Sequence, residues 1–451
     1  MREKCAVFGI TSDSDVFDSI YKGLYSLQHR GQESAGMAVC SKGRIRIHKG
    51  MGLVSQVFNS VSLDGKCGIG HVRYSTTGLS EVENAQPLLI NYSKGSFAIA
   101  HNGQIVNAAE LKSTLESRGN VFTTTSDTEV IAHLIVREHI KTDDLVAGIR
   151  NAMGYLKGSY SLTLLHGNTL IAVRDPSGVR PLVYGKSGDT HVFASETCAL
   201  DVLDIDLVRD IKPSEIMTIT GSKVRSDIGK AGKVSHCMFE YVYFARPDSI
   251  LDGKSVYEVR KNLGAVLAKE GKVKADLVIP VPDSGITQAV GYARASNIPF
   301  GEGLMKNRYI GRTFILPDQK QRDIGVKVKL NPIRSELAGK DIILVDDSIV
   351  RGTTIKKLIH LLKDAGAKKV HVRISCPPLK FPCFYGIDMQ SRKEFIAAKK
   401  TVEEIRKEIG ADSLVYTSIK GLLTAIGLPV TSMCMACLNE DYPLTDPQTK
   451  L

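Results

Sequence analysis

The chain lacks any run of ~20 uninterrupted apolar residues, the length a membrane-crossing helix requires, so no helical membrane span is expected. It also lacks an apolar h-region near its start. Met1-Arg2-Glu3-Lys4-Cys5 is polar and basic, which argues against a secretory signal and makes the cytoplasm the expected compartment. No repeat with a period of roughly 20–50 residues and no low-complexity tract is present, which sets aside solenoids and disordered tails. What remains is a chain of 451 residues, 43% apolar and 24% charged, long enough for two domains with sizeable cores.

The net charge of +11 raises nucleic acid as a partner, but the basic residues are spread along the chain beside acids, and none is expected. One stretch departs from this. From Lys306 to Arg334 there are eight Lys or Arg residues against Asp318 and Asp323, a surplus suited to a small polyphosphate as well as to a solvated loop. Nine cysteines in a chain expected to be cytoplasmic argue for metal binding or catalysis over a disulfide framework. Cys40, Cys67, Cys198 and Cys376 sit among apolar or small neighbours and read as buried core thiols.

The texture changes near residue 230. Before it, short β-rich runs (Ala6 to Ile10, Ser96 to Ala100, Ser161 to Leu165, Leu170 to Val173, Val192 to Ser195) are divided by Gly-rich turns. Helical patterns at Phe17 to Leu27 and Thr128 to His139 would cover their sheets. After residue 250 the pattern is strand, loop, helix. Leu277 to Ile279 and Ile342 to Val345 are continuous apolar runs of the kind buried on both faces in a parallel sheet. Ile355, Leu358, Ile359 and Leu362 form a helical stripe that Gly366 would stop. Gly221 to Val234, polar and glycine-bearing, reads as a linker, which divides the chain into residues 5–230 and 231–451 after a short leader, 1–4.

Cys5 opens an apolar strand, and removal of Met1 to Lys4 as a propeptide would leave it a free α-amine. Such an amine ordinarily titrates at ~7.7–8.0, so it can act as general base for the adjacent thiol. Motifs follow in order: His29-Arg30-Gly31-Gln32-Glu33-Ser34 before a strand, His71-Val72-Arg73-Tyr74-Ser75-Thr76 after one, His101-Asn102-Gly103 in a turn, Thr125-Ser126-Asp127-Thr128 opening a helix, then Arg174-Asp175-Pro176 and Arg180-Pro181-Leu182. Together they resemble the class II glutamine amidotransferases, an N-terminal-nucleophile αββα sandwich. The resemblance implies Cys5 as nucleophile, Arg73 on the glutamine α-carboxylate, Asp127 on its α-ammonium, and Asn102 with the Gly103 N–H as the oxyanion hole.

In the second half, Ile342 to Thr354 places Asp346 and Asp347 at a strand's carboxyl end. Ser348, Arg351, Gly352, Thr353 and Thr354 follow at a helix's amino end, an arrangement that can hold a monophosphate through N–H groups and ribose hydroxyls or Mg²⁺ through the acids. This string contains no Gly-Lys-Thr/Ser and is not a Walker A loop. It resembles the motif of type I phosphoribosyltransferases for 5-phosphoribosyl-1-pyrophosphate (PRPP). Pro280 to Gly285, with Asp283, Ser284 and Gly285, looks like the pyrophosphate loop of that family. The resemblance implies Mg²⁺ at Ser284, Asp346 and Asp347, and makes the basic stretch a flap over PRPP.

Cys434-Met435-Ala436-Cys437, with Cys383 and Cys237, can make a four-thiolate site, and zinc and [4Fe–4S] both accept four sulfurs. Spacing alone leans to zinc. The chain as a whole resembles the glutamine PRPP amidotransferase family, whose propeptide-bearing branch carries a [4Fe–4S] cluster with cysteines matching Cys237, Cys383, Cys434 and Cys437. The resemblance implies transfer of ammonia from glutamine to C1 of PRPP, giving 5-phosphoribosylamine, glutamate and pyrophosphate in purine synthesis. It also leads one to expect purine nucleotides as feedback inhibitors and a homo-oligomer, dimer or tetramer. A PRPP-sensing regulator that has lost the chemistry is the alternative.

Overall fold

A computed structural model of the chain describes residues 5–74, 80–307, 330–387, 389 and 391–444. Met1 to Lys4, Ser75 and Thr76, and the basic stretch from 308 to 329 lie outside the described residues.

The first half stacks two antiparallel sheets. Strands β1 (Ala6–Thr11), β2 (Ser34–Ser41), β3 (Arg44–Met51) and β4 (Cys67–Arg73) lie in one sheet. β5 (Leu88–Tyr92), β6 (Gly95–Ile105), β7 (Gly158–His166) and β8 (Thr169–Arg174) lie in the other. β9 (Val183–Ser187), β10 (Thr190–Ala194) and β11 (Asp206–Asp210) complete the first sheet, in the order β11-β9-β10-β1-β4-β2-β3. β12 (Glu215–Thr220) and β13 (Lys223–Ile228) complete the second, in the order β13-β12-β8-β7-β6-β5. Between them lies a layer containing Val7, Ile69, Ala98, Leu165 and Phe193. Helix Phe17–Ser26 covers the outer face of the first sheet, burying Ile20 and Leu24 against Phe8 and Val72. Helices Asp127–Thr142 and Leu145–Met153 cover the outer face of the second. The expected αββα sandwich is therefore observed, because each sheet is apolar on both faces and needs a cover on each.

Three local expectations are corrected. His101-Asn102-Gly103 is not a turn but lies inside β6, where Asn102 faces Ser161 and Gly103 faces Tyr160 of β7. Likewise His71 to Arg73 end β4 instead of following it. The polar segment Gly221 to Val234 is also not all linker. Lys223–Ile228 is β13, an edge strand whose side chains are all exposed, so its sequence carries no apolar alternation by which to read it.

The second half is an open parallel sheet of Leu277–Pro280, Asp341–Asp346, Lys369–Ile374 and Ser413–Tyr416, adjacent in that order. Helices Val256–Glu270 and Ile286–Ser296 pack through Leu267, Ala289 and Tyr292 on the face carrying Val278, Ile343 and Val345. Helix Thr353–Asp364 covers the other face with the stripe Ile355, Leu358, Ile359 and Leu362, all buried, and Gly366 follows at φ +100°. Both carboxylates of the Asp pair thus arrive at the carboxyl edge of the sheet, where open α/β sheets bind ligands.

Candidate active sites

Cys5 stands at the entrance of β1, its Sγ 3.6 Å from the Tyr74 carbonyl oxygen and its own carbonyl accepting from Arg30 Nε at 3.2 Å. Because β1 runs antiparallel to β4 with Ala6 opposite Val72, the thiol comes to the end of β4 that carries Arg73, itself only 3% exposed. Gly31 is required here: a Cβ at this position would meet the Arg73 backbone N at 2.6 Å.

Asn102 is buried, and its Nδ2 has no hydrogen-bond partner among the described residues. Gly103 adopts φ +154°, and a Cβ there would lie 2.0 Å from the Ser159 oxygen. Asp127 begins helix Asp127–Thr142. Its Oδ2 accepts from Ile105 N at 2.9 Å, and its Oδ1 lies 3.5 Å from His101 Nδ1. Burial pushes its carboxyl up, but His101, the Ile105 N–H and Arg73 outweigh that and hold it below the usual carboxylate range, so it carries its negative charge at neutral pH. His71 is held neutral by burial, its pKa lowered to about 3, and donates from Nε2 to the His101 carbonyl at 3.0 Å.

Sequence reasoning passes over two residues that set this geometry. Gln86, buried, accepts the His101 N–H at 2.7 Å and donates to Thr128 Oγ1 at 2.9 Å, joining the strand of Asn102 to the helix of Asp127. Asn84 does the same for Thr125, accepting its N–H and donating to its hydroxyl, both at 2.9 Å. Short polar residues in a segment without periodicity give no advance signal of such a role.

The halves meet through buried charge. Arg30 donates to Glu240 Oε1 and Oε2 at 2.8 and 2.9 Å and to Glu196 Oε1 at 2.5 Å, while Arg180 reaches Glu240 Oε1 at 3.0 Å. Glu240 opens the short π-helical segment Glu240–Phe244, three residues after Cys237.

In the second half, a cavity of about 640 Å³ is lined by Ser284, Asp346, Asp347, Ser348, Arg351, Gly352, Thr353 and Thr354, together with Tyr243 and Met389. Asp346 and Asp347 are both buried, and Asp347 N donates to Asp346 Oδ1 at 2.9 Å. Burial first, and then the charge of Asp347, push the Asp346 carboxyl well above its ordinary value. A cation placed at the pair would reverse that penalty. Gly352, at φ +77°, turns the loop into helix Thr353–Asp364. Asp283 and Gly285 do not line the cavity. Asp283 is ion-paired with Lys306, and Gly285 packs so closely that a Cβ would meet the Val345 oxygen at 2.5 Å. Arg351, at the rim, pairs with Glu394 at 2.5 Å.

Cys237, Cys383, Cys434 and Cys437 converge at the junction, each 8% exposed. Cys237 pairs in parallel register with Cys434, and the Cys437 carbonyl accepts from Lys380 N and Phe381 N at 3.0 and 3.1 Å. Burial pushes the Cys434 thiol up, and the charges of Cys237 and Cys383 add to it. Cys437 is pushed up by burial, then by Cys376 and the other three. Buried this way the Cys434 and Cys437 thiols stay protonated and neutral, and only as thiolates would they offer sulfur donors to a cation. Yet among the described residues no three His, Cys, Asp or Glu side chains are grouped as ligands of a single metal ion. Cys40, Cys67, Cys198 and Cys376 are buried core thiols, as expected.

Family models divide the chain in the same way: a glutamine amidotransferase domain matches residues 71–202 and a phosphoribosyl transferase domain matches residues 248–406. The class is thereby fixed, a glutamine amidotransferase joined to a phosphoribosyltransferase. The chain is 51% identical over 454 residues to the amidophosphoribosyltransferase of Methanothermobacter thermautotrophicus, covering 99% of this chain and 96% of that one. It is 47% identical to that of Bacillus subtilis, over 98% of this chain and 94% of the relative. A solved structure described as the allosteric regulatory enzyme of purine biosynthesis superposes with a TM-score of 0.94 at 46% identity, covering 99% and 98% of the two chains. The glutamine PRPP amidotransferase of B. subtilis, complexed with ADP and GMP, superposes with a TM-score of 0.93 at 46% identity, covering 99% of each. The chain belongs to the amidophosphoribosyltransferase family, pentosyltransferases of purine biosynthesis that carry a glutamine amidotransferase domain. A regulator without this chemistry is the less supported reading.

Proposed function

We propose that Cys5 attacks the glutamine carboxamide and that the ammonia released adds to C1 of PRPP in the cavity bounded by Asp346 and Asp347. The observation that carries this reading is the unpartnered, buried Asn102 Nδ2 beside the closely packed Gly103, on the strand joined by Gln86 to the helix of Asp127. A tetrahedral oxyanion formed on the amide carbon would take the Asn102 amide and the Gly103 N–H, each donor worth roughly 3 kcal/mol. Arg73 holds the α-carboxylate with its planar fork, and Asp127 holds the α-ammonium. With Met1 to Lys4 removed, the Cys5 α-amine takes the thiol proton and passes it to the departing ammonia.

In the second half, the N–H groups and hydroxyls of Ser348 to Thr354 hold the 5-phosphate at the helix amino end, and Asp346 and Asp347 face the ribose. Ser284 and Gly285 belong to the pyrophosphate loop, with Asp283 beside them. Mg²⁺ held by Ser284, Asp346 and Asp347 would neutralise the diphosphate as it leaves. The Asp346–Asp347 pair, costly without a cation, supports that assignment. The basic stretch from 306 to 334 acts as flap. Cys237, Cys383, Cys434 and Cys437 would hold a structural [4Fe–4S] cluster, a reading supported by four buried thiols close to one another at the junction. Purine nucleotides act as feedback ligands, and the protein works in the cytoplasm as a homo-oligomer.

The test is a paired assay. Glutamine, PRPP and Mg²⁺ should yield glutamate and pyrophosphate in equal amounts. Cys5→Ala should lose glutamine-dependent turnover and keep turnover with high ammonia. Full glutamine activity in Cys5→Ala would refute the assignment, and mass spectrometry of the mature amino terminus should find Cys5 first.

A further inference from the structure

The oxyanion strand is not held by the first half alone. The Tyr385 carbonyl, from the second half, accepts three hydrogen bonds from the first: Ser159 Oγ at 2.8 Å, Arg180 Nη2 at 2.7 Å and Arg180 Nε at 3.1 Å. This clamp sets the next residue, Gly386, at φ +91° directly on the oxyanion strand. A Cβ on Gly386 would stand 2.9 Å from the Gly103 carbonyl carbon, 3.0 Å from its oxygen and 3.3 Å from Gln104 N. On the other side, Gly103 presses so closely on β7 that its own Cβ would lie 2.0 Å from the Ser159 oxygen. The peptide that follows Gly103 is therefore confined between Ser159, one residue of the clamp, and Gly386, whose position the clamp fixes.

We propose that the Tyr385–Gly386 segment is a positioning element of the glutaminase site: the transferase half fixes the Gly103–Gln104 peptide, and through it the stretch of strand from which the Asn102 amide and the Gly103 N–H are presented as oxyanion donors. The inference rests on Asn102 and Gly103 forming the oxyanion hole. Its physical basis is that a donor helps a developing charge only if it is already fixed when the charge appears, and a backbone packed on both faces cannot rotate away. Cys383 lies two residues upstream, with Tyr385 N 3.4 Å from its Sγ, so the same segment links the thiol site to the amide chemistry. Neither Tyr385 nor Gly386 touches glutamine in this account. They act through Gly103.

The readout that isolates the effect is affinity for glutamate γ-semialdehyde. Its aldehyde adds the Cys5 thiol: a C–S bond forms, the carbonyl π bond opens onto oxygen, and that oxygen takes the proton lost by sulfur or remains as the oxyanion. Affinity for this adduct reports the donors, whereas KM for glutamine reports Arg73 and Asp127. In the full chain, Gly386→Ala should lower semialdehyde affinity and glutamine kcat by about tenfold or more, in the range of lost oxyanion donors. KM for glutamine and ammonia-dependent turnover should stay near wild type. Ser159→Ala removes one of the three bonds without adding an atom and should show a smaller loss of the same pattern, roughly threefold. Gly410→Ala is the control. Gly410 has φ +75° with open space around it, so the variant carries comparable backbone strain and should behave as wild type.

Wild-type semialdehyde affinity and glutamine kcat in Gly386→Ala would overturn the proposal, as would a parallel loss of ammonia-dependent turnover. If Gly386→Ala does not fold, an unchanged Ser159→Ala overturns it. Asn102→Ala separates the two readings: undiminished semialdehyde affinity there would sink the oxyanion assignment itself, whereas a loss there without one in Gly386→Ala sinks only the present inference.

Discussion

Arg30 and Glu240 meet across the junction of the two halves in a fork of two hydrogen bonds, 2.8 and 2.9 Å, both side chains almost wholly buried. Arg30 also holds the Cys5 carbonyl. A carboxylate of the second half thus fixes the guanidinium that fixes the backbone of Cys5. Burial alone would lower the Arg30 pKa, and Glu240 and Glu196 more than reverse it.

Glu240→Gln should therefore cost both stability and glutaminase activity. Breaking a buried pair costs about 3–5 kcal/mol, and Glu196 remains to offset part of it. Urea unfolding should show a lower midpoint, and glutamine-dependent turnover should fall more than ammonia-dependent turnover. Equal falls in both would mean the pair is structural only.

Gln86→Leu strands the His101 N–H, at a cost of about 1–3 kcal/mol, while the Thr128 hydroxyl keeps Ser126 Oγ and His101 Nδ1 as partners. Glutamine kcat should drop by at least about tenfold, one factor of ten per 1.4 kcal/mol, while ammonia-dependent turnover persists. Steady-state kinetics with both nitrogen donors checks this.

His71 gives the protein an acid-sensitive limb. Its pKa in the folded chain is about 3 against an ordinary value of 6.5, so the unfolded chain binds the proton first. The stability it confers is fully present above about pH 7 and is lost as pH falls from about 6.5 towards 3. In His71→Gln, the slope of melting temperature against pH over that window should flatten, and an unchanged slope would contradict the buried neutral imidazole.

Asp346→Asn removes a like charge from a buried pair and should stabilise the ligand-free protein while weakening PRPP turnover by at least about 100-fold, ~2.7 kcal/mol. Thermal melts without ligand and pyrophosphate release with PRPP and Mg²⁺ measure the two effects. A less stable ligand-free variant would show that burial of the Asp346 carboxyl beside the Asp347 charge does not burden the folded chain.

Much of this was written locally. The segment from Asp346 to Thr354 is one unbroken string, and strand, loop and helix are each specified by their own residues: an apolar run, Gly352, and the stripe from Ile355 to Leu362. Cys5, Arg73, Asn102 and Asp127 were legible as types of residue in order, and the αββα layers followed from apolar runs with two helical covers.

Other features depended on the assembled chain. That Asn102 and Gly103 lie in a strand and not a turn was decided by pairing with β7, since Asn-Gly alone favours a turn. The strand Lys223–Ile228 has no apolar face and exists because β12 offers it an edge. Gln86, Glu240, Tyr385 and Gly386 matter only through partners 15 to more than 200 residues away, as in Gln86 with His101 and Tyr385 with Arg180. Sequence by itself determined which chemical groups are present and the local elements that carry them, because those depend on neighbours along the chain. Their aim was decided by tertiary structure, because hydrogen bonds and close packing act between atoms that only the fold brings together.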